Sequence, residues 1–186
     1  MTELYLVRHG QTEWSRAGRH TSVTDLDLTE LGLAQAESLR DHLDPDAFQL
    51  VLVSPRLRAR RTAALAGFEE AEVLEDLAEW AYGDYEGLTS VQIHETRPDW
   101  RLWVDGCPGG ESPDQVRARL TRVVDRVRGS GVERAICFAH GHALAALALC
   151  WLDFPLAFGQ SFPVEVARVS IMGTEKASPA IIRWNS

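Results

Sequence analysis

The feature that most constrains the fold is a construction that occurs twice, a short apolar run that ends in a histidine and a glycine. The two examples are residues 4–7 followed by Arg8-His9-Gly10, and residues 135–139 followed by His140-Gly141. Apolar runs of this length predict buried strands. In open α/β sheets ligands bind beyond the carboxyl ends of the strands, so we expect Arg8 and His9 to face a crevice.

The residues that follow the first strand suit a phosphorylated ligand. Arg8 carries a planar fork of donors that matches phosphate geometry. Gly10 lets the backbone turn sharply and approach a ligand closely. His9 can form a covalent intermediate in group transfer, because imidazole is a nucleophile. The alternative for a single histidine is a strand-end side chain that is hydrogen-bonded to the backbone.

Length and charge restrict the class of protein. A chain of 186 residues with 45% hydrophobic content is sized for one compact domain, taken here as residues 1–186. A net charge of −8 argues against a nucleic-acid partner, which would require a basic surface. An anionic substrate is still compatible, since a local cluster of arginines sets the field inside one cleft.

Cysteine usage and hydropathy predict a reduced, cytoplasmic protein. The cysteines number three, and Cys137 and Cys150 lie in apolar segments, which is not the pattern of a disulfide scaffold. The N-terminus lacks a basic region followed by an apolar one, and no apolar run reaches about 18 residues. We therefore expect no membrane partner. The oligomeric state stays open, with a dimer among the options.

The first half of the chain alternates strand and helix. Thr29 is a good N-cap for a helix that Pro45 ends, and residues 50–53 form a second apolar strand. Ser54 and Pro55 then predict an N-cap and first helical position. This order begins a βαβ unit and predicts a parallel sheet. Residues 14–27 are polar and predict a long loop, which is commonly functional.

The second half continues the same pattern. Ser112 and Gln115 form a capping box ahead of an apolar stripe made by Val116, Leu120, Val123 and Val127. Residues 143–152 are almost entirely apolar and predict a buried helix. Residues 164–172 and 180–184 predict a hairpin at the edge of the sheet.

Two further segments carry candidate chemistry. The helix after Pro55 begins with four arginines, namely Arg56, Arg58, Arg60 and Arg61. Cations at a helix N-terminus oppose the helix dipole, which favours an anion-binding site at this position. The alternative interpretation is an arginine-rich first turn that is exposed to solvent. In the loop 77–87, a carboxyl beside Trp80 is partly desolvated and suits a general acid, whereas ordinary surface acids are the alternative for Glu79 and Glu86.

Taken together, these segments resemble the histidine phosphatase superfamily, the phosphoglycerate mutase-like proteins. The resemblance rests on Leu-Val-Arg-His-Gly-Gln-Thr at 6–12, the Arg58-Ala59 pair, the Glu79 to Gly87 block and His140-Gly141, in family order. It implies a single-domain, three-layer α/β sandwich with a mostly parallel central sheet and helices on both faces.

The resemblance also implies roles for individual residues. It makes His9 the phosphorylated nucleophile, Glu79 the proton donor and Glu86 a structural glutamate. Phosphate would be held by Arg8, Arg58 and His140, and further substrate contacts would come from Gln11, Thr21, Ser22 and Gly141. It implies no cofactor and no metal, because cationic side chains replace Mg²⁺. A glutamic acid that starts protonated predicts an acidic pH optimum.

The narrower likeness is to acid phosphatases mislabelled as mutases and to sedoheptulose bisphosphatases. The interval from Glu79 to His140 is shorter than in cofactor-dependent mutases, which favours water as acceptor and a small phosphorylated metabolite as substrate. Mutase-type transfer and non-catalytic binding of a phosphorylated ligand are the alternatives. Ser15 and Ala145 depart from the asparagine and arginine common in the family, and His142 is either structural or pocket-lining.

Overall fold

The computed structural model describes residues 2–186 and forms an α/β domain built on one six-stranded sheet. The strands are β1 (Glu3–Arg8), β2 (Leu50–Val53), β3 (Glu72–Val73), β4 (Arg134–Ala139), β5 (Val169–Glu175) and β6 (Ser178–Arg183). The helices are α1 (Glu13–Arg16), α2 (Glu30–Ser38), α3 (Leu57–Leu65), α4 (Ser90–Thr96), α5 (Leu102–Asp105), α6 (Pro113–Gly129) and α7 (Gly141–Leu152).

The sheet is mostly parallel, as predicted. Its strand order is β3-β2-β4-β1-β5-β6, in which β1, β2, β3 and β4 run parallel and β5 and β6 are antiparallel. Crossover connections through helices join the parallel strands, which is the arrangement that parallel pairing requires. β1 and β4 are direct neighbours, so the segments that follow them emerge side by side.

Helices cover both faces, which confirms the three-layer arrangement. Successive side chains of β4 enter two different cores, because side chains alternate across a strand. Cys137 packs with α6 and α7, whereas Ile136 and Phe138 pack with α3 and with Leu39 and Leu43, which follow α2. Each face of the sheet therefore has its own apolar cluster, and the functional edge lies between them.

The predicted elements of the second half are confirmed. Ser112 caps α6 through a capping box with Gln115, and the predicted apolar stripe is buried. α7 is buried along its length except at its ends. The hairpin exists, but β5 begins only at Val169, since the carbonyl of Val164 accepts a hydrogen bond from Arg8 instead of pairing in the sheet.

Two local predictions are wrong, and one short strand was not predicted. Ser54 does not cap a helix that starts at Pro55, because its hydroxyl is engaged by His140 and α3 begins only at Leu57. The polar stretch 14–27 is not wholly loop, since Thr12 caps the short helix α1. The short strand β3 was not anticipated, because Glu72–Val73 is too brief and too exposed to show a pattern.

Gly10 allows a close approach to the backbone of α2, while its predicted approach to a ligand stays a prediction. A Cβ on Gly10 would lie 2.4 Å from the carbonyl oxygen of Gly32, and one on Gly32 would lie 2.1 Å from that of Gln11. The turn after β1 is thus pressed against the backbone of α2. This contact fixes α2 beside the crevice.

Gly32→Ala is expected to lower the free energy of unfolding by about 1–3 kcal/mol, because the backbone must shift to admit the methyl group. Gly129→Ala in α6 is the control, since its added Cβ meets nothing within 4 Å. That control is expected to be neutral or to stabilise the protein slightly. Chemical denaturation measures both, and equal midpoints for Gly32→Ala and the wild type would contradict the close approach.

Candidate active site

The two predicted histidines meet at the carboxyl edge of the sheet. Arg8 lies opposite Ala139 in the β1–β4 register, so His9 and His140 follow at the same level. Their ring centroids are 5.2 Å apart, with an angle of 63° between the ring planes. His9 is 5% exposed and His140 is fully buried. The two imidazoles are therefore neighbours, and of the two only His9 lines the cavity described below.

The tautomer of His9 is fixed by the backbone. Its Nδ1 lies 2.7 Å from the carbonyl oxygen of Gly10, and a carbonyl can only accept, so Nδ1 donates. Burial, followed by the charges of Arg8 and Arg58, holds the pKa of His9 well below 6.5. The ring is therefore neutral near pH 7, and Nε2 keeps a free lone pair.

His140 is held by Ser54, a residue that the sequence predicted to be a helix N-cap. Its Nε2 lies 2.7 Å from the hydroxyl of Ser54, at the end of β2. Burial first, and then the charge of Arg58 and the neighbouring His9, hold its pKa well below 6.5. The Nδ1 atom is buried without a hydrogen-bond partner.

The two predicted phosphate-binding arginines differ in position. Arg8 lines the cavity and donates from Nη1 to the carbonyl of Val164 at 2.5 Å, while its Nε is unpaired. Arg58 is fully buried and donates to the carbonyls of Thr24, Thr21 and Ser22 at 3.0–3.3 Å. Arg58 therefore fixes the loop of the cavity wall, and its contact with phosphate stays a prediction.

Glu79 is placed by the start of α7. Its carboxylate accepts backbone hydrogen bonds from Trp80 at 2.9 Å, His142 at 3.2 Å and Ala143 at 2.8 Å. The last two donors are free because they belong to the first turn of α7. The sequence prediction considered only the desolvating neighbour Trp80 and missed this helix terminus. The sequence signal that could have revealed these donors is the helix that begins directly after His140.

A cavity of about 300 Å³ opens over these groups. The predicted residues in its wall are Arg8, His9, Thr21, Glu79 and Gly141. Residues that the sequence did not assign to the site include Arg19, His20, Tyr82, Gln160 and Phe162. The hydroxyl of Thr21 donates to the carbonyl of Arg19 at 3.0 Å, so its contact with substrate stays a prediction.

Two other predicted contacts have side chains bonded elsewhere. The hydroxyl of Ser22 donates to Glu86 at 2.5 Å, and Gln11 accepts from the hydroxyl of Thr29 at 3.1 Å. Burial alone would raise the pKa of Glu86, but hydrogen bonds from Ser22 and Thr24 outweigh it and lower the pKa. Glu86 thus organises the loop, as its resemblance to a structural glutamate implied.

One wall of the cavity consists of aromatic rings that meet edge to face. The hydroxyl of Tyr82 lies 2.6 Å from Nδ1 of His142, and the Trp103 ring lies 5.5 Å from that imidazole. Burial is the main cause that lowers the pKa of His142 to about 4. His142 is therefore pocket-lining, and Trp103 also forms part of the wall.

Both departures from the family pattern lie in the wall. Ser15 exchanges hydrogen bonds with Thr12 in the capping box of α1, at 2.9–3.1 Å. Ala145 adds no charge at its position in α7 and is buried. The cavity therefore carries its positive charge on Arg8 and on the exposed Arg19 at its rim.

Protein stability is expected to fall as the pH drops from 7 to 5. The pKa values of His9, His140 and His142 are lowered in the fold, so the unfolded chain binds more protons below its ordinary value of 6.5. The loss is about 1.4 kcal/mol per pH unit for each histidine that stays neutral. Urea denaturation at both pH values measures it, and His142→Gln should flatten the slope. Equal stability at pH 7 and 5 would contradict the neutral histidines.

The chain is similar in sequence to phosphatases and to a phosphoglycerate mutase. The chain is 44% identical over 176 residues to an acid phosphatase of Mycobacterium tuberculosis, covering 92% of this chain and 86% of the relative. It is 38% identical over 178 residues to sedoheptulose 1,7-bisphosphatase of Saccharomyces cerevisiae, covering 78% and 66%. A phosphoglycerate mutase of Methylobacterium radiotolerans is 35% identical over 165 residues, covering 78% and 77%.

A solved structure of an open-reading-frame product of M. tuberculosis superposes with a TM-score of 0.94 and 40% identity, covering 99% of this chain and 97% of that one. Two of the three relatives are named as phosphatases. The profile of the histidine phosphatase superfamily, branch 1, matches residues 4–186, and the chain belongs to that family.

Residues 2–186 show neither a metal-binding cluster nor a membrane-spanning helix. No cluster of three or more histidine, cysteine, aspartate or glutamate side chains in this range is arranged to hold a metal ion. Within the same range, no helix is both long enough and apolar enough to cross a membrane. Independence from metals stays a prediction that chelation tests.

Proposed function

We propose that the chain hydrolyses small phosphomonoesters without a metal, through a phosphohistidine on His9. The observation that carries this proposal is the state of His9. The ring is neutral, its Nδ1 donates to Gly10, and its remaining nitrogen has a free lone pair beside Arg8 at the cavity. A neutral imidazole held in one tautomer is ready to attack phosphorus.

In the first step, Nε2 of His9 forms a bond to phosphorus while the bond from phosphorus to the leaving oxygen breaks. Glu79, on the same cavity wall, gives its proton to that oxygen, so the product leaves as an alcohol. Arg8 and Arg58, with His140, stabilise the charge on the equatorial oxygens. Positioning and charge stabilisation supply most of the catalysis of phosphoryl transfer.

In the second step, water attacks the phosphorus of the phosphohistidine. Glu79, now a carboxylate, takes a proton from that water, and the bond between phosphorus and Nε2 breaks. Inorganic phosphate leaves, and His9 returns to its neutral tautomer. Glu79 is protonated again at the end of this step, so the enzyme has returned to its starting state.

Cavity size favours small substrates. A volume of about 300 Å³ accommodates a phosphate with a short sugar or acid but not a macromolecule. The relatives named as an acid phosphatase and a sugar bisphosphatase support a range of small phosphomonoesters that includes sugar bisphosphates. The mutase among the relatives makes transfer back to a substrate the second candidate.

Phosphate release from a panel of esters tests the proposal. The panel contains p-nitrophenyl phosphate, 3-phosphoglycerate and sugar bisphosphates, assayed from pH 4 to 9 with and without EDTA. We expect release that EDTA does not affect and that is greatest at acidic pH. Isomerisation of 3-phosphoglycerate without release would establish a mutase, and binding without either reaction would establish a non-catalytic domain. A profile for 3-phosphoglycerate, whose leaving group needs a proton, that stays flat to pH 9 would count against Glu79 as donor.

A further inference from the structure

The segment that carries Glu79 is held from behind by a buried ion pair. Arg119 in α6 is 8% exposed and donates to Glu111 through two parallel bonds of 2.7 and 3.0 Å. A bidentate pair of this kind fixes both side chains in orientation as well as distance. Neither Arg119 nor Glu111 lines the cavity.

Arg119 holds the chain just before Glu79. Its Nη1 donates to the carbonyl of Asp76 at 2.7 Å and to that of Ala78 at 2.8 Å. These carbonyls lie on the entry side of Glu79, so a single guanidinium group sets the direction from which the chain reaches the donor position. The remaining two nitrogens are used by Glu111.

Glu111 holds the chain just after Glu79. Its carboxylate accepts from the backbone of Ala81 at 2.8 Å, and its carbonyl accepts from the indole of Trp80 at 2.9 Å. Residues 78–82 lie in neither helix nor strand. Their conformation therefore depends on hydrogen bonds to other segments. The ion pair supplies such hydrogen bonds on both sides of Glu79.

We propose that Arg119, fixed by Glu111, is a positioning residue for the proton donor Glu79. This inference rests on the proposed role of Glu79. Arg119 acts through the backbone, and its effect should be confined to the step in which Glu79 moves a proton to the leaving group. A displacement of about 1 Å at a reacting group can cost on the order of 100-fold in rate.

The leaving group of the substrate separates this role from simple loss of stability. Glycerol 2-phosphate releases an alkoxide that needs a proton, whereas p-nitrophenyl phosphate releases a stable phenolate. A misplaced donor lowers kcat/KM for the first ester much more than for the second. A partly unfolded enzyme loses both activities in the same proportion.

The test compares these two esters in Arg119→Lys, which keeps the charge but loses the fork. We expect the ratio of kcat/KM for glycerol 2-phosphate to that for p-nitrophenyl phosphate to fall about 10- to 100-fold. Arg122→Met is the matched control, because Arg122 is exposed and contacts only the side chain of Asp76 in the same segment. Val123→Ala weakens the core at α6, and the Val123 side chain takes no part in the hydrogen bonds that Arg119 and Glu111 make to the segment.

Both controls should leave the ratio unchanged. A parallel loss on the two esters, or an unchanged ratio, in Arg119→Lys would overturn the inference. If Arg119→Lys does not fold, Glu111→Gln is measured in its place, with the same two criteria. Glu79→Gln is run alongside: if that variant shifts the ratio and Arg119→Lys does not, only the inference fails. If Glu79→Gln does not shift it, the donor role and the inference fail together.

Discussion

Replacing His9 with alanine is expected to lower kcat/KM for phosphomonoesters by roughly 10⁴-fold or more. The reason is that the proposed reaction begins with a bond between Nε2 and phosphorus, and no other neutral imidazole takes that place. His140 lies beside His9, but its Nε2 is bonded to Ser54. The change is measured as phosphate release from p-nitrophenyl phosphate, which does not depend on a proton donor.

The fold should tolerate this substitution. The side-chain hydrogen bond of His9 goes to the adjacent carbonyl of Gly10, so its loss frees no distant partner. The exposed His42 supplies the control, since His42→Ala removes an imidazole far from the cavity wall and should keep full activity. A His9→Ala variant that is folded and retains activity within tenfold of the wild type would contradict a nucleophilic His9.

Replacing Glu79 with glutamine is expected to lower kcat/KM for glycerol 2-phosphate by about 10²–10⁴-fold, which is the usual contribution of a general acid. The amide oxygen of glutamine can still accept the two shorter backbone bonds, from Trp80 and Ala143, that now reach one carboxylate oxygen. The position of the side chain is thus largely kept, and the proton that it can give is lost.

The same variant should lose far less activity on p-nitrophenyl phosphate. Kinetics on both esters measure the difference, and circular dichroism confirms that the variant is folded. Glu86→Gln is a useful comparison, because Glu86 contacts the loop through Ser22 and Thr24. That substitution should affect both esters alike. If Glu79→Gln lowered kcat/KM for both esters by the same factor, Glu79 would not be the proton donor.

The sequence was sufficient to predict those elements whose local pattern and tertiary role agree. The apolar runs of β1, β2 and β4 form the sheet, and the capped, striped helix α6 packs against it as expected. The convergence of His9 and His140 followed from one rule, since the carboxyl ends of neighbouring parallel strands meet at one edge.

The remaining features depend on contacts between distant segments. Ser54 has the sequence of an N-cap, but its hydroxyl serves His140, which is 86 positions away. The hydrogen bonds from the start of α7 to Glu79 also join residues far apart in sequence. The same is true of the hydrogen bonds from Arg119 to the segment that carries Glu79. Local propensity contains no information on such pairs, so a single sequence could identify Glu79 but not what holds it.

The most direct test of the central claim is to trap the phosphoenzyme. The enzyme is mixed with ³²P-labelled p-nitrophenyl phosphate, denatured within milliseconds at alkaline pH and digested with trypsin. We predict label on the peptide of residues 9–16, stable to alkali, lost in acid and absent from His9→Ala. Label on another peptide, or rapid turnover with no trapped label in the wild type, would contradict a phosphohistidine at His9.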